Sequence, residues 1–277
     1  MENILLTKPQ DRSIEVIHGD DVYTFDEAKH AHVLNGKPLH GVTTVMDKTL
    51  SKPALIPWAV KVTVDWIKEH CIYIDNSLSS NDDFYKVTES DLENAKKEHS
   101  SKKTNAGAWG TRVHNACEVW CETGKLPTAI EDEDILKSVE NFKDFIETNG
   151  FKVLGVERPV WSKEWWIGGI FDLVLEKDGK VYIADIKTSS GIYDSHFIQM
   201  GAYYKCLLEN GWQRDYGVEE FTGAIVINLK KDSKIAWCKS EALDTMVECY
   251  RGIVSIHKNK DVLEKVTKAV RYGTAFY

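Results

Sequence analysis

The stretch Gly168 to Lys187, GGIFDLVLEKDGKVYIADIK, constrains this chain more than any other. Gly169–Leu175 and Val181–Lys187 are apolar runs rich in β-branched and aromatic residues. Between them stands Asp178-Gly179, the dipeptide of a two-residue type I′ turn, whose central residues both need φ > 0. A hairpin turning there pairs residues whose numbers sum to 357, which sets Asp172 opposite Asp185 and Ile170 opposite Lys187. Facing Cβ atoms in such a pair lie roughly 4.5–5.5 Å apart, and like charges there are destabilising. Both strands are apolar enough to be central, so two carboxylates would be buried side by side. That arrangement persists only with a partner charge or a metal. The period of two puts Lys187 on the face of Asp185. Two readings follow from the hairpin alone. One is an ordinary hairpin with a salt bridge from Lys187 to either aspartate. The other is a divalent cation between two carboxylates beside an ammonium, a site suited to cutting a phosphodiester.

Two further patterns flank the hairpin. Upstream, Gly110, His114 and Glu118 recur every fourth residue in a helix expected over 105–122, and so share one face. Downstream, Gln199 and Tyr203 share a face of a helix expected from Ser195 to about Glu209. Taken in order, Gly-x3-His-x3-Glu, the Asp172 strand with Asp185-Ile186-Lys187, and Gln-x3-Tyr resemble the RecB-type branch of the PD-(D/E)XK nuclease superfamily. The resemblance covers roughly residues 105–230. Gly41-Val-Thr-Thr-Val45 and the segment 52–59 resemble the N-terminal region of phage exonucleases and of the mitochondrial genome maintenance exonuclease.

The resemblance implies an α/β (α+β) fold, a central mixed sheet flanked by helices. An N-terminal β and helical elaboration is expected over 1–104 and the nuclease core over 105–277. It implies Asp172, Asp185, Lys187, Glu118, Gln199 and Tyr203 as the catalytic set. His114, Asp172, Asp185 and the carbonyl of Ile186 are the implied metal ligands, with Glu118 orienting either His114 or a metal-bound water. Glu157 matches a glutamate of this branch; it either reaches the site through water or pairs with Arg158 or a lysine. Oxygen ligands favour Mg²⁺ or Mn²⁺, one ion or two, and a histidine tilts the choice toward Mn²⁺. Some relatives hold an iron–sulfur cluster on one upstream and three closely spaced downstream cysteines. Here Cys206, Cys238 and Cys249 are too far apart in sequence, and no cluster is expected.

Composition narrows the rest. The chain carries a net charge of −8, which argues against a nonspecific nucleic-acid coat, although residues 229–277 hold ten Lys/Arg against six Asp/Glu. No run of eighteen apolar residues occurs, so no membrane span is expected, and six scattered cysteines read as reduced thiols. A cytoplasmic setting, in a bacterial cell or a phage-infected host, is the corresponding expectation. Short strands are expected at 13–17, 22–25 and 30–34, with a turn at Asn35-Gly36 and with His30 and His32 on one strand face, either exposed strand histidines or a metal pair. A helix from Pro57 to about Glu69 carries Trp58, Val62 and Trp66, either a core stripe or a base-stacking face. A polar loop over 74–87 precedes a helix that begins near Thr88 and bears Lys96, Lys97, Lys102 and Lys103, a solvated face or a DNA path. An acidic helix is expected over 132–149, ended by Gly150. Trp161, Trp165 and Trp166 crowd the turn before the hairpin, where they either pack on helices or, Trp165 and Trp166 above all, stack bases. Core and edge strands are expected over 221–229 and 234–240, then a helix from Leu243 to His257 and a basic tail. The activity expected is that of a metal-dependent deoxyribonuclease, an exonuclease preferring single-stranded or free DNA ends in phage or bacterial recombination, repair or replication. Two alternatives stand beside it. One is an endonuclease of host–phage conflict or a CRISPR-adaptation-like nuclease; the other is a catalytically silent nucleic-acid-binding module.

Overall fold

A computed structural model describes residues 13–75, 82–127, 130, 132–229 and 235–271. The elements in order are β1 (Ser13–His18), β2 (Asp21–Asp26), β3 (Ala31–Leu34), β4 (Lys37–Gly41), α1 (Val42–Thr49), α2 (Leu55–His70), β5 (Ile72–Ile74), β6 (Phe84–Lys86), α3 (Glu89–Thr123), α4 (Glu133–Thr148), β7 (Lys152–Ser162), β8 (Ile167–Lys177), β9 (Lys180–Lys187), α5 (Asp194–Asn210), β10 (Gly223–Asn228), β11 (Ala236–Ser240) and α6 (Leu243–Arg271). Backbone contacts divide the chain into two compact units, 51–111 and the remainder.

In the larger unit a mixed sheet runs in the order β1-β2-β3-β4-β8-β9-β10-β11, with β7 also paired to β8. Strand β4 lies parallel to β8, and β9 parallel to β10; the other pairings are antiparallel. The central strands are buried along nearly their whole length, as their apolar sequence requires. Helices α1, α5 and α6 pack together on the sheet, and the core between them includes Val42, Met200, Leu207, Met246 and Tyr250. Gly201 permits that packing. A Cβ there would lie 2.3 Å from the backbone carbon of Met246, so only glycine lets α5 and α6 approach so closely. Asp132 caps α4, accepting from the N–H groups of Asp134 and Ile135.

The hairpin has the expected register. Its ladder runs from Lys177↔Lys180 to Leu173↔Ala184, pairs that sum to 357. Asp178 and Gly179 take φ of 52° and 75°, the left-handed pair of a type I′ turn. Asn35 and Gly36 do the same at 50° and 75°.

Three local expectations are corrected. The lysine-bearing helix and the histidine-bearing helix are one continuous helix, α3. No proline interrupts 89–123, and Gly107 and Gly110 each cost only about 1 kcal/mol relative to Ala, too little to break it. Helix α6 does not stop at His257 but continues to Arg271, since 258–271 contains neither Gly nor Pro and offers Glu264 four residues before Lys268. His30 lies outside the strand at φ 46°, and His32 is not an exposed histidine. Its ring stacks on Phe25 at 4.6 Å and its Nδ1 lies 2.6 Å from the Tyr23 hydroxyl. Burial pushes the His32 pKa down to about 4.

The smaller unit contains α2, the β5–β6 pair and the first two-thirds of α3. Val62 is buried there, while Trp58 and Trp66 are half-buried and Trp66 stacks on His70 at 4.4 Å. Part of the polar loop over 74–87, residues 76–81, lies outside the described residues.

Candidate active site

The site forms where the β8–β9 ladder stops. Asp172 and Asp185 are the next residues beyond Leu173↔Ala184. Instead of a further backbone pair, the Ile186 N–H donates to Asp172 Oδ2 at 2.7 Å. His114 comes in from α3, its Nδ1 3.5 Å from the same oxygen. Lys187 Nζ lies 2.5 Å from Asp185 Oδ2 and donates to Gln199 Oε1 at 2.9 Å. The Gln199 amide nitrogen donates in turn to the Tyr203 hydroxyl at 2.9 Å. His114, Asp172, Asp185, Ile186, Lys187, Gln199 and Tyr203, drawn from four elements, are thereby brought together. Glu118 is buried one turn beyond His114 on the same helix.

Burial sets the electrostatics. Asp185 exposes 2% of its side chain and Asp172 17%. Burial raises both carboxyls to about 6 against the pull of the Lys187 ammonium, and for Asp185 the neighbouring Asp172 adds to the rise. Burial also opposes the charge on Lys187, but Asp185 and Asp172 together hold its pKa above the ordinary 10.5. The His114 imidazole is held below its ordinary 6.5 by burial and then by Lys187, so near pH 7 the ring is neutral and able to coordinate or accept. Tyr203 is buried beside both aspartates, which keeps its phenol protonated.

Glu157 stands in β7 between Val156↔Leu173 and Arg158↔Phe171, and so falls level with Asp172. Its charge is felt by both His114 and Asp172. It adopts φ 41°, a left-handed conformation that costs a non-glycine residue about 1–3 kcal/mol and clusters at functional sites. Arg158, which the sequence offered as an ion-pair partner, pairs with Asp215 and lies over the Trp212 ring at 4.2 Å.

A family model described as the PD-(D/E)XK nuclease superfamily matches residues 83–271. The chain belongs to that superfamily. No curated protein matches it. Among solved structures, one described as "Crystal structure of SSO0001" is similar at 16% identity and a TM-score of 0.27, over 46% of this chain and 62% of that one. The chain therefore spans less than two thirds of that structure's length.

PD-(D/E)XK nucleases typically use divalent metals, and the donors present here suit one in kind. They are two carboxylates that share a buried site and a neutral imidazole. Asp185 Oδ2 is buried, and its neighbour is the Lys187 ammonium at 2.5 Å. Among the described residues, no three His, Cys, Asp or Glu side chains are already gathered tightly enough to hold an ion. The Ile186 N–H stands at Asp172 Oδ2 and Lys187 Nζ at Asp185 Oδ2.

The proposed DNA contacts fare differently. Trp165 is core, not a stacking surface: it is 4% exposed and stacks on Tyr250 at 5.6 Å. Trp166 is half-buried, its indole N–H donating to the Pro38 carbonyl at 2.9 Å. Lys96, Lys97, Lys102 and Lys103 are exposed on α3 within the smaller unit, where Lys96 faces Glu93 and Lys102 faces Glu98, each at 3.5 Å. One site neighbour was missed from sequence. Thr43, in the Gly41-Val-Thr-Thr segment, reaches Gln199 from α1. Its only signal was that segment's resemblance to exonuclease N-termini, which assigned it no role. Among the described residues, no helix is long and apolar enough to cross a membrane.

Proposed function

We propose that the protein is a metal-dependent DNA exonuclease of the RecB-type branch. It would act on free, preferentially single-stranded ends during recombination, repair or replication in a bacterial or phage-infected cell. The observation that carries the hydrolytic part is the Lys187 ammonium between Asp185 and Gln199, at a strand end with one buried and one half-buried carboxylate. Asp172, Asp185 and His114, with the Ile186 carbonyl, would hold Mg²⁺ or Mn²⁺. When bound, the ion supplies Lewis acidity toward the phosphate and lowers the pKa of water. Asp185 and Gln199 aim Lys187, whose charge offsets the negative charge that develops on the phosphate and steadies the attacking water. His114 stays neutral and competes with no carboxylate for charge. No side chain is required as a covalent nucleophile.

Support for DNA as substrate comes from the exposed lysines of α3, which suit a phosphate track, and from the half-buried Trp58 and Trp66 of α2. End-labelled linear, blocked-end and circular DNAs digested with Mg²⁺ or Mn²⁺ test the reading. Linear single strands degraded from an end, with circles spared, are the expected result. Circles cut as fast as linear DNA would make the protein an endonuclease. No cleavage with either ion, alongside retained binding, would make it a silent binding module. Replacing Lys96, Lys97, Lys102 and Lys103 with Gln should flatten the salt dependence of binding; an unchanged slope would move the DNA path elsewhere.

A further inference from the structure

Three of the four hydrogen bonds open to the Gln199 amide are formed, and each partner comes from a different element or turn. The oxygen accepts from Lys187 Nζ of β9 at 2.9 Å. One amide hydrogen goes to the Tyr203 hydroxyl, one turn along α5, at 2.9 Å. The nitrogen's other contact is Thr43 Oγ1 of α1, 3.3 Å away and 156 residues distant in sequence. Gln199 itself is 8% exposed, so an unsatisfied amide hydrogen there would carry a desolvation penalty.

We infer that Thr43 is a positioning residue for the nuclease reaction. Its hydroxyl oxygen, with that of Tyr203, accepts the Gln199 amide hydrogens and so keeps the amide oxygen turned toward Lys187. The logic is one of donors and acceptors. Lysine is donor only, so the amide must present its oxygen to Lys187. Its NH₂ group then needs two acceptors, and threonine and tyrosine hydroxyls can both accept. With the amide reversed, NH₂ would face an ammonium.

The elements around Thr43 are built to hold it there. The Tyr250 hydroxyl, buried in α6, donates to the carbonyl of Val42 at 2.9 Å and pins the first turn of α1. Tyr203 packs on Gly169, where a Cβ would lie 2.8 Å from its ring and 3.2 Å from Val42. The bare backbone of β8 at Gly169 therefore lets both Tyr203 and Val42 of α1 approach it closely. Helix α1 receives no side-chain cap at its N-terminus, so the Thr43 hydroxyl is not accounted for by capping.

This inference rests on the nuclease reading, and its test separates the two. Thr43→Val keeps the shape and removes the acceptor. It should lower kcat about three- to ten-fold with KM unchanged, the size of one neutral hydrogen bond. Thr43→Ser should restore kcat to within about two-fold, since it returns the hydroxyl. In a Gln199→Ala background, Thr43→Val should have no further effect on kcat. The same pair is measured by thermal unfolding without metal, where the two substitutions should be non-additive in Tm. Equal losses for Thr43→Val and Thr43→Ser, or additive effects in either cycle, would overturn the role of Thr43. A wild-type protein that cleaves no DNA would instead overturn the nuclease reading, and the thermal cycle would then decide Thr43 alone.

Discussion

Two of the hairpins of the main sheet, β3–β4 and β8–β9, close with nearly the same turn but use their polar residues in opposite ways. At β3–β4 the turn is Asn35-Gly36, and at β8–β9 it is Asp178-Gly179, each with both residues at φ between 50° and 75°. The Asn35 side chain satisfies its own neighbourhood. Its Oδ1 accepts from Val22 N–H at 2.7 Å and its Nδ2 donates to Asp21 at 3.0 Å. At β8–β9 the polar residues that matter lie six residues from the turn on each strand, where the ladder ends and the strands are buried. There the carboxylates are held by a lysine, a histidine and one peptide N–H. Turn chemistry sets the register of both hairpins. Burial decides whether a polar side chain is local mortar or a reactive group.

The largest way to break that contrast is substitution at the buried hairpin. Asp172→Asn, Asp185→Asn and Lys187→Ala should each lower DNA cleavage by at least about 10²–10³-fold while circular dichroism stays native. Full activity in any of the three would remove that residue from the mechanism.

Next comes pH. A carboxyl whose folded pKa is about 6, against 3.8 unfolded, binds its proton more tightly in the folded state. The stability it contributes is complete below 3.8 and is lost as pH rises toward 6. In EDTA the protein should therefore become less stable by a few kcal/mol across that window. Asp172→Asn should flatten the fall. Urea melts at several pH values check this, and a rise in stability through the same window would refute the burial argument.

A smaller effect is expected at His114. His114→Ala should weaken Mn²⁺ binding at least about ten-fold and narrow the preference for Mn²⁺ over Mg²⁺, with folding kept. Titration calorimetry that returned an unchanged affinity would leave His114 as a wall of the site. Smallest of all, Asn35→Ala at the first hairpin should cost about 1 kcal/mol of stability and leave cleavage unchanged. A loss of cleavage there would mean that the two hairpins are functionally coupled.

Much of the site was legible because its signals are local. Asp-Gly dictates φ > 0 at two positions, the period of two puts Asp185 and Lys187 on one face, and the four-residue spacing puts His114 and Glu118 on one side of a helix. From these the chain by itself determined the hairpin and its register as far as Leu173↔Ala184, beyond which the expected pairs Asp172/Asp185 and Ile170/Lys187 do not continue the ladder. Only the tertiary structure decided what those residues lean on. Thr43 meets Gln199 across 156 residues, Trp165 stacks on Tyr250, and Glu157 takes a strained φ of 41° level with Asp172. Helix ends also escaped the sequence, because α3 and α6 continue through stretches whose propensity neither starts nor stops a helix. The physical reason is range. Turn preference and periodicity act over a few residues and can be read in a window, whereas the partner of a buried polar group is whichever group the packing of distant elements delivers to it.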